Sequence, residues 1–206
     1  MVHHTDNYLK VTIVLVFMIN KKNFEQMRSV MDGFDKTRED VIKIARIILK
    51  NSKKSIFACH RGDLKNARIL LDESKVKIKE MEKLISADHD LMISIHNEAL
   101  EEFVEAECFY NFLKNKKIPT CKELNVSVET YLQGLCDLTG ELTRKAVNEV
   151  IEGNVDGVLE IKKLISDLYE ELMQFDFRNS PLRRKYDAIK YSLEKLEDLS
   201  LKIKLK

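Results

Sequence analysis

Turn-forming residues are scarce in this chain: its 206 residues include only 6 Gly and 2 Pro. Average usage would supply roughly 14 and roughly 10. A many-stranded sandwich or barrel needs a turn signal about every 8–12 residues, so that class is excluded. Collagen-like and Gly/Ser-linker classes are excluded for the same reason. What remains is a set of long helices joined by short loops. The composition, 44% hydrophobic and 33% charged, can fill a core and solvate a surface, which argues against global disorder.

The punctuation that is present falls between periodic apolar runs. From about residue 22 to residue 58 there is no Pro and one Gly, Gly33, and Val41, Ile44, Ala45, Ile48 and Leu49 recur at helical spacing. This predicts a long first helix ending near His60, with Gly62 just beyond its end. Asp63 then caps a second helix, 64–86. A third runs 88–116. Thr120 caps a short helix reaching Leu124, and Ser127 caps one over 128–152 that stops at Gly153. Asn154 opens a helix over 155–175. Ser180 with Pro181 opens the last, to Lys204. The expected fold is all-α, an antiparallel bundle of about seven helices.

With 35 Lys+Arg against 34 Asp+Glu, the net charge is +1. Binding driven by net charge is excluded, so a polyanion would have to be held by local basic patches. Cys59, Cys108, Cys121 and Cys136 include no C-x-x-C pair, which predicts reduced thiols and a cytoplasmic setting. The apolar run Val11–Ile19 is too short to span a membrane, which takes about 20 residues. It also lacks the basic start and small-residue cleavage site of a signal peptide. Residues 1–20 are expected to be an extension outside the functional domain, 21–206, or to precede a later start at Met18, Met27 or Met31.

Chemistry concentrates on two helices. On the third, Met92, Ile95, Ala99, Phe103, Ala106, Tyr110 and Leu113 form one apolar face. Glu102 lies inside the edge of that face, with Glu105 one turn on. An ionised carboxylate there needs a partner, either a cationic side chain or a metal. Glu98, Glu101 and Glu107 lie off the face and are expected to be solvated. On the 128–152 helix, Asp137 and Glu141 are spaced i, i+4 opposite the apolar face, as a solvated stripe would be. Gly134 and Gly140 flank Asp137 mid-helix and flatten the surface, as if something approached closely. Carboxylates from both helices could together form an all-oxygen site for Mg²⁺ or Mn²⁺. A di-iron bundle is disfavoured, because none of His3, His4, His60, His89 and His96 follows a Glu by three residues. His96 reads as a packed histidine. Basic clusters occur at Lys53-Lys54, at Arg61 with Lys65 and Arg68, at Lys114 with Lys116 and Lys117, at Arg144-Lys145, and at Arg183-Arg184-Lys185.

The segment YLQGLCDLTGELTRKAVN (131–148) resembles the signature helix of the translin/TRAX family, with its DLTGEL core. LEEFVEAECFYNFL (100–113) resembles the TRAX form of the preceding motif, and SIFACHR (55–61) the end of the first TRAX helix. The C-terminal segment 180–204 is similar to that of translin itself. The resemblance implies an all-α bundle that assembles into a hollow, barrel-like oligomer holding RNA or DNA. TRAX subunits are Mg²⁺-dependent endoribonucleases, whereas translin subunits bind nucleic acid without the acidic site. By position, the family's acidic residues fall on Glu102, Glu105 and Asp137 as catalytic metal ligands, with Glu141 as a ligand or supporting group. The chain lacks the basic N-terminal extension of eukaryotic TRAX and its insertion between the acidic helices. This implies a homo-oligomer, an octamer being one arrangement, rather than a translin–TRAX heteromer.

The expected function is therefore cleavage of single-stranded or partly unpaired RNA. Arg61, Lys65, Arg68, Arg144, Arg183 and Arg184 would hold the nucleic-acid backbone, with single-stranded DNA a further ligand and no membrane partner. A non-catalytic RNA- or DNA-binding oligomer and a helical scaffold with no nucleic-acid role are the alternatives.

Overall fold

Capping chemistry sets the element boundaries. A computed structural model of the chain describes residues 20–87 and 94–204. Seven helices occur among them: α1 Lys21–His60, α2 Leu64–Ala87, α3 Ser94–Asn115, α4 Cys121–Leu124, α5 Val128–Glu152, α6 Val155–Leu172 and α7 Pro181–Lys204. The all-α expectation holds, with six long helices and one short one. The expected extension, residues 1–20, lies outside the described residues except for Asn20, as does the expected start of the third helix at Asp88.

Gly62 has φ +77° and Gly153 φ +79°. Both sit in the left-handed region that ends a helix cheaply only when no Cβ is present. Asp63 Oδ1 accepts from the Asn66 N–H at 3.1 Å, and Ser127 Oγ from Thr130 at 3.1 Å. Thr120 and Glu123 form a full capping box around the single turn of α4. α6 stops at Leu172, three residues short of expectation. The N–H groups of Gln174 and Phe175 donate to Glu171 and Leu172, three residues back, so the chain tightens out of the α-helix.

The chain divides into two compact units, residues 1–40 and 41–206. In the first, the described residues belong to the start of α1 and expose Phe24, Met27, Val30 and Met31. In the second, α5 is central and packs against α3, α6 and α7, while α2 packs on α3 and α6 on α7. Phe103, Phe109, Leu138, Leu142, Ile161 and Ile189 are essentially fully buried, each contributing about 1.5–3 kcal/mol of transfer free energy. No described helix is long and apolar enough to cross a membrane.

The central position of α5 changes two expectations. A Cβ at Gly134 would lie 2.6 Å from Val104 Cγ1 and 2.9 Å from the Glu101 carbonyl oxygen. This glycine therefore lets the α3 backbone approach α5, so what comes close at Gly134 is a neighbouring helix. A Cβ at Gly140 would meet nothing within 4 Å. α3 is buried almost all the way round from Ala99 to Phe112 rather than along one face. Glu107, expected to be solvated, is 1% exposed. Arg68 donates to it in bidentate fashion at 2.7 and 3.1 Å, and Lys75 reaches it at 2.8 Å. Those bonds outweigh the cost of burial and hold its carboxyl below the ordinary range.

Candidate active site

Close packing of α3 against α5 brings four carboxylates to one pocket of about 420 Å³. Glu102 and Glu105 come from α3, Asp137 and Glu141 from α5. The wall opposite is α1, which supplies Lys53, Ile56 and Phe57, and Arg144 of α5 completes the lining. The two acidic pairs that helical spacing left apart thus face a single space. The stripe carrying Asp137 and Glu141 is partly exposed and lines that pocket.

Crowding and burial shape the charge there. Burial pushes the Glu105 carboxyl up to about 9, reinforced by the charges of Glu102, Asp137 and Glu141. Glu102 is raised as well, first by burial and then by Asp137, Glu141 and Glu98, with Lys53 pulling the other way. Like charges sharing a low-dielectric pocket cannot all ionise at ordinary pH. Glu141 is lowered instead, first by its hydrogen bond to His60 Nε2 and then by the charges of His60 and Arg144. The His60 ring lies 4.8 Å from the Phe109 ring, and its buried Nδ1 has no hydrogen-bond partner among the described residues.

Three side chains outside the expected site hold these acids. Lys185 of α7 donates to Asp137 Oδ2 at 2.5 Å and to Glu101 Oε2 at 2.8 Å. Glu101 is therefore ion-paired rather than solvated. Lys53 lies 3.8 Å from Glu102, and His60 binds Glu141. The donor set is all carboxylate oxygen, the chemistry that suits Mg²⁺ or Mn²⁺. As the side chains stand, no three His, Cys, Asp or Glu donors among the described residues converge on one point. Lys185, Lys53 and His60 occupy three of the four.

Residues 36–206 match the Translin family. The chain belongs to the Translin family. An uncharacterized protein of Methanocaldococcus jannaschii is 32% identical to it over 93% of this chain and 85% of its own length. Translin-associated protein X of Pongo abelii is 25% identical over 89% of this chain and 78% of its own. The crystal structure of apo-NeC3PO superimposes with a TM-score of 0.82, at 27% identity, over 87% of this chain and 96% of that one. A structure of AfC3PO in complex with duplex RNA gives 0.75 at 25% identity, over 89% and 97%.

The basic residues of this translin-family chain divide into two groups. Arg68 is committed to Glu107 and, at 2.8 Å, to Asp72. Its guanidinium is thus shared between two carboxylates, with the side chain 25% exposed. Arg183 donates to Asp187 at 3.0 Å within α7. Arg61, Lys65 and Arg184 are exposed. Arg144 is the one expected cation that borders the acidic pocket, with its guanidinium 5.2 Å from the Phe57 ring centroid. Lys185, Lys53 and His60 were missed as site residues because they come from α7 and α1. No spacing within α3 or α5 points to them.

Proposed function

We propose that this chain is a metal-dependent endoribonuclease of the TRAX type. It acts on single-stranded or partly unpaired RNA within a shell built from copies of itself. One observation carries the reading: four carboxylates from two helices share a pocket in which Glu105 holds its proton up to about 9. The likeness to Translin-associated protein X and to an AfC3PO structure containing RNA supports RNA as the ligand.

Glu102, Glu105 and Asp137 would hold Mg²⁺, or Mn²⁺ in its place, with Glu141 as a further ligand or support. The chemistry supplied by such an ion is Lewis acidity, which lowers the pKa of a water and offsets charge on the phosphate. Glu105 keeps its proton while the pocket lacks positive charge and gives it up as a ligand. His60 orients Glu141. Lys53 and Arg144 at the mouth draw the phosphate in, and Arg61, Lys65 and Arg184 extend the basic surface, so affinity falls steeply with salt. Four free thiols, three of them buried, fit a cytoplasmic protein.

The ion pairs of Lys185 with Asp137 and Lys53 with Glu102 favour one alternative, a non-catalytic RNA- or DNA-binding oligomer with structural acids. Cleavage of a 5′-labelled single-stranded RNA, with Mg²⁺, with EDTA and with Glu105→Ala, separates the two. The expected result is cleavage that needs metal and is lost in the variant. RNA bound but left intact would establish the alternative, and cleavage surviving both controls would overturn the proposed site.

A further inference from the structure

Phe57 stands out on α1. Its neighbours Ile56, Ala58 and Cys59 are buried, yet Phe57 is 50% exposed. It lines the acidic pocket and also a second pocket of about 440 Å³, formed with Lys54, Arg61, Asn66 and Leu70. The ring is thus a wall common to both spaces, with the Arg144 guanidinium placed over it. The two pockets have opposite character. The first is lined by four carboxylates. Among the described residues the second contains no carboxylate and presents two cations, an amide and an aromatic surface. Lys53, Lys185 and Arg68 are all tied to acidic side chains, whereas the side chains of Lys54 and Arg61 have no acidic partner among the described residues.

An aromatic ring beside unpaired cations is the chemistry of a nucleotide site. Every base offers a face that stacks on a ring, and lysine and arginine hold phosphate without regard to sequence. An asparagine amide can both donate to and accept from a sugar hydroxyl or base edge. We propose that this second pocket is a nucleotide subsite. It takes the RNA residue next to the phosphate lying in the acidic pocket, with the base on Phe57 and the flanking phosphate on Lys54 and Arg61. The inference rests on the RNA reading above and adds to it how the strand is set in register across the two pockets.

Equilibrium binding in EDTA tests it without cleavage. The full-length protein is titrated into a short fluorescein-labelled oligoribonucleotide, followed by anisotropy over a range of salt. The series comprises wild type, Phe57→Leu, and Lys54→Ala combined with Arg61→Ala. A parallel scan places one abasic nucleotide at each position of the RNA. Phe57→Leu should weaken binding about tenfold with little change in salt dependence. The double lysine–arginine variant should lower the salt slope by roughly 0.7 for each phosphate released. One abasic position should cost wild type about tenfold and cost Phe57→Leu nothing more. Wild-type affinity and salt slope in both variants, or an abasic scan with no costly position in wild type, would overturn the subsite and leave the RNA reading standing. Wild-type protein that binds no RNA at any salt would overturn both. The abasic scan reads the same contact on unmodified protein, so a folding defect in Phe57→Leu does not spare the proposal.

Discussion

The Lys185 ammonium donates to the Asp137 carboxylate at 2.5 Å, joining α7 to the acidic pocket between α3 and α5. Burial alone would pull the pKa of this lysine down. Its bonds to Asp137 and Glu101 outweigh that and raise it, so the ammonium is firmly charged. A cation entering the pocket must compete with it for Asp137. Lys185→Met should therefore tighten divalent-ion binding by about tenfold, on the scale of one charged hydrogen bond. Calorimetric titration with Mn²⁺ checks this, and unchanged or weaker binding would show that Lys185 does not compete.

Glu105 gives the pocket a pH signature. Its folded value of about 9 lies above the ordinary 4.5. Between those values the folded chain binds more protons than the unfolded chain, so stability falls as pH rises through the window and is level outside it. Glu105→Gln keeps the neutral form at every pH. In EDTA it should raise Tm by about 10–20 °C near pH 8 and leave it unchanged near pH 4. Thermal melts at several pH values read this directly. An offset that does not grow with pH would contradict the proposed charge crowding.

Arg68 should behave as a structural residue. It forms a bidentate pair with Glu107, which is 1% exposed. Arg68→Met leaves that carboxylate with Lys75 as its remaining cationic partner and should cost about 2–4 kcal/mol in urea unfolding. RNA affinity of the folded variant should match wild type. A stable variant with weakened RNA binding would instead place Arg68 on the nucleic-acid surface.

The two glycines of α5 should respond in opposite directions. At Gly134 an added methyl meets Val104 and the Glu101 carbonyl oxygen inside 3 Å, and backbone cannot yield cheaply. Gly134→Ala should destabilise by about 1–3 kcal/mol and disturb the facing of Glu102 and Glu105 on Asp137 and Glu141. Gly140 meets nothing within 4 Å, so Gly140→Ala should stabilise by about 0.4–1 kcal/mol. Urea midpoints of the two variants decide it, and shifts of the same sign would refute the packing account.

The helices and their ends are legible in local spacing. Few glycines and prolines force long helices. The caps at Asp63, Thr120, Ser127 and Asn154 are local interactions spanning about three residues, so they read directly from spacing. The motifs around Glu102, Glu105, Asp137 and Glu141 also named the acids, because family likeness is carried by short segments. What those acids face follows from how the helices pack. Burial depends on how many helices surround a residue, and a helical wheel shows only one helix. Glu107 on the wheel looked solvated and is buried. Asp137 looked like part of a solvated stripe and lines a pocket. Lys185, Lys53 and His60 reach those acids from distant parts of the chain, and their pairing follows from packing across helices, which no local spacing encodes.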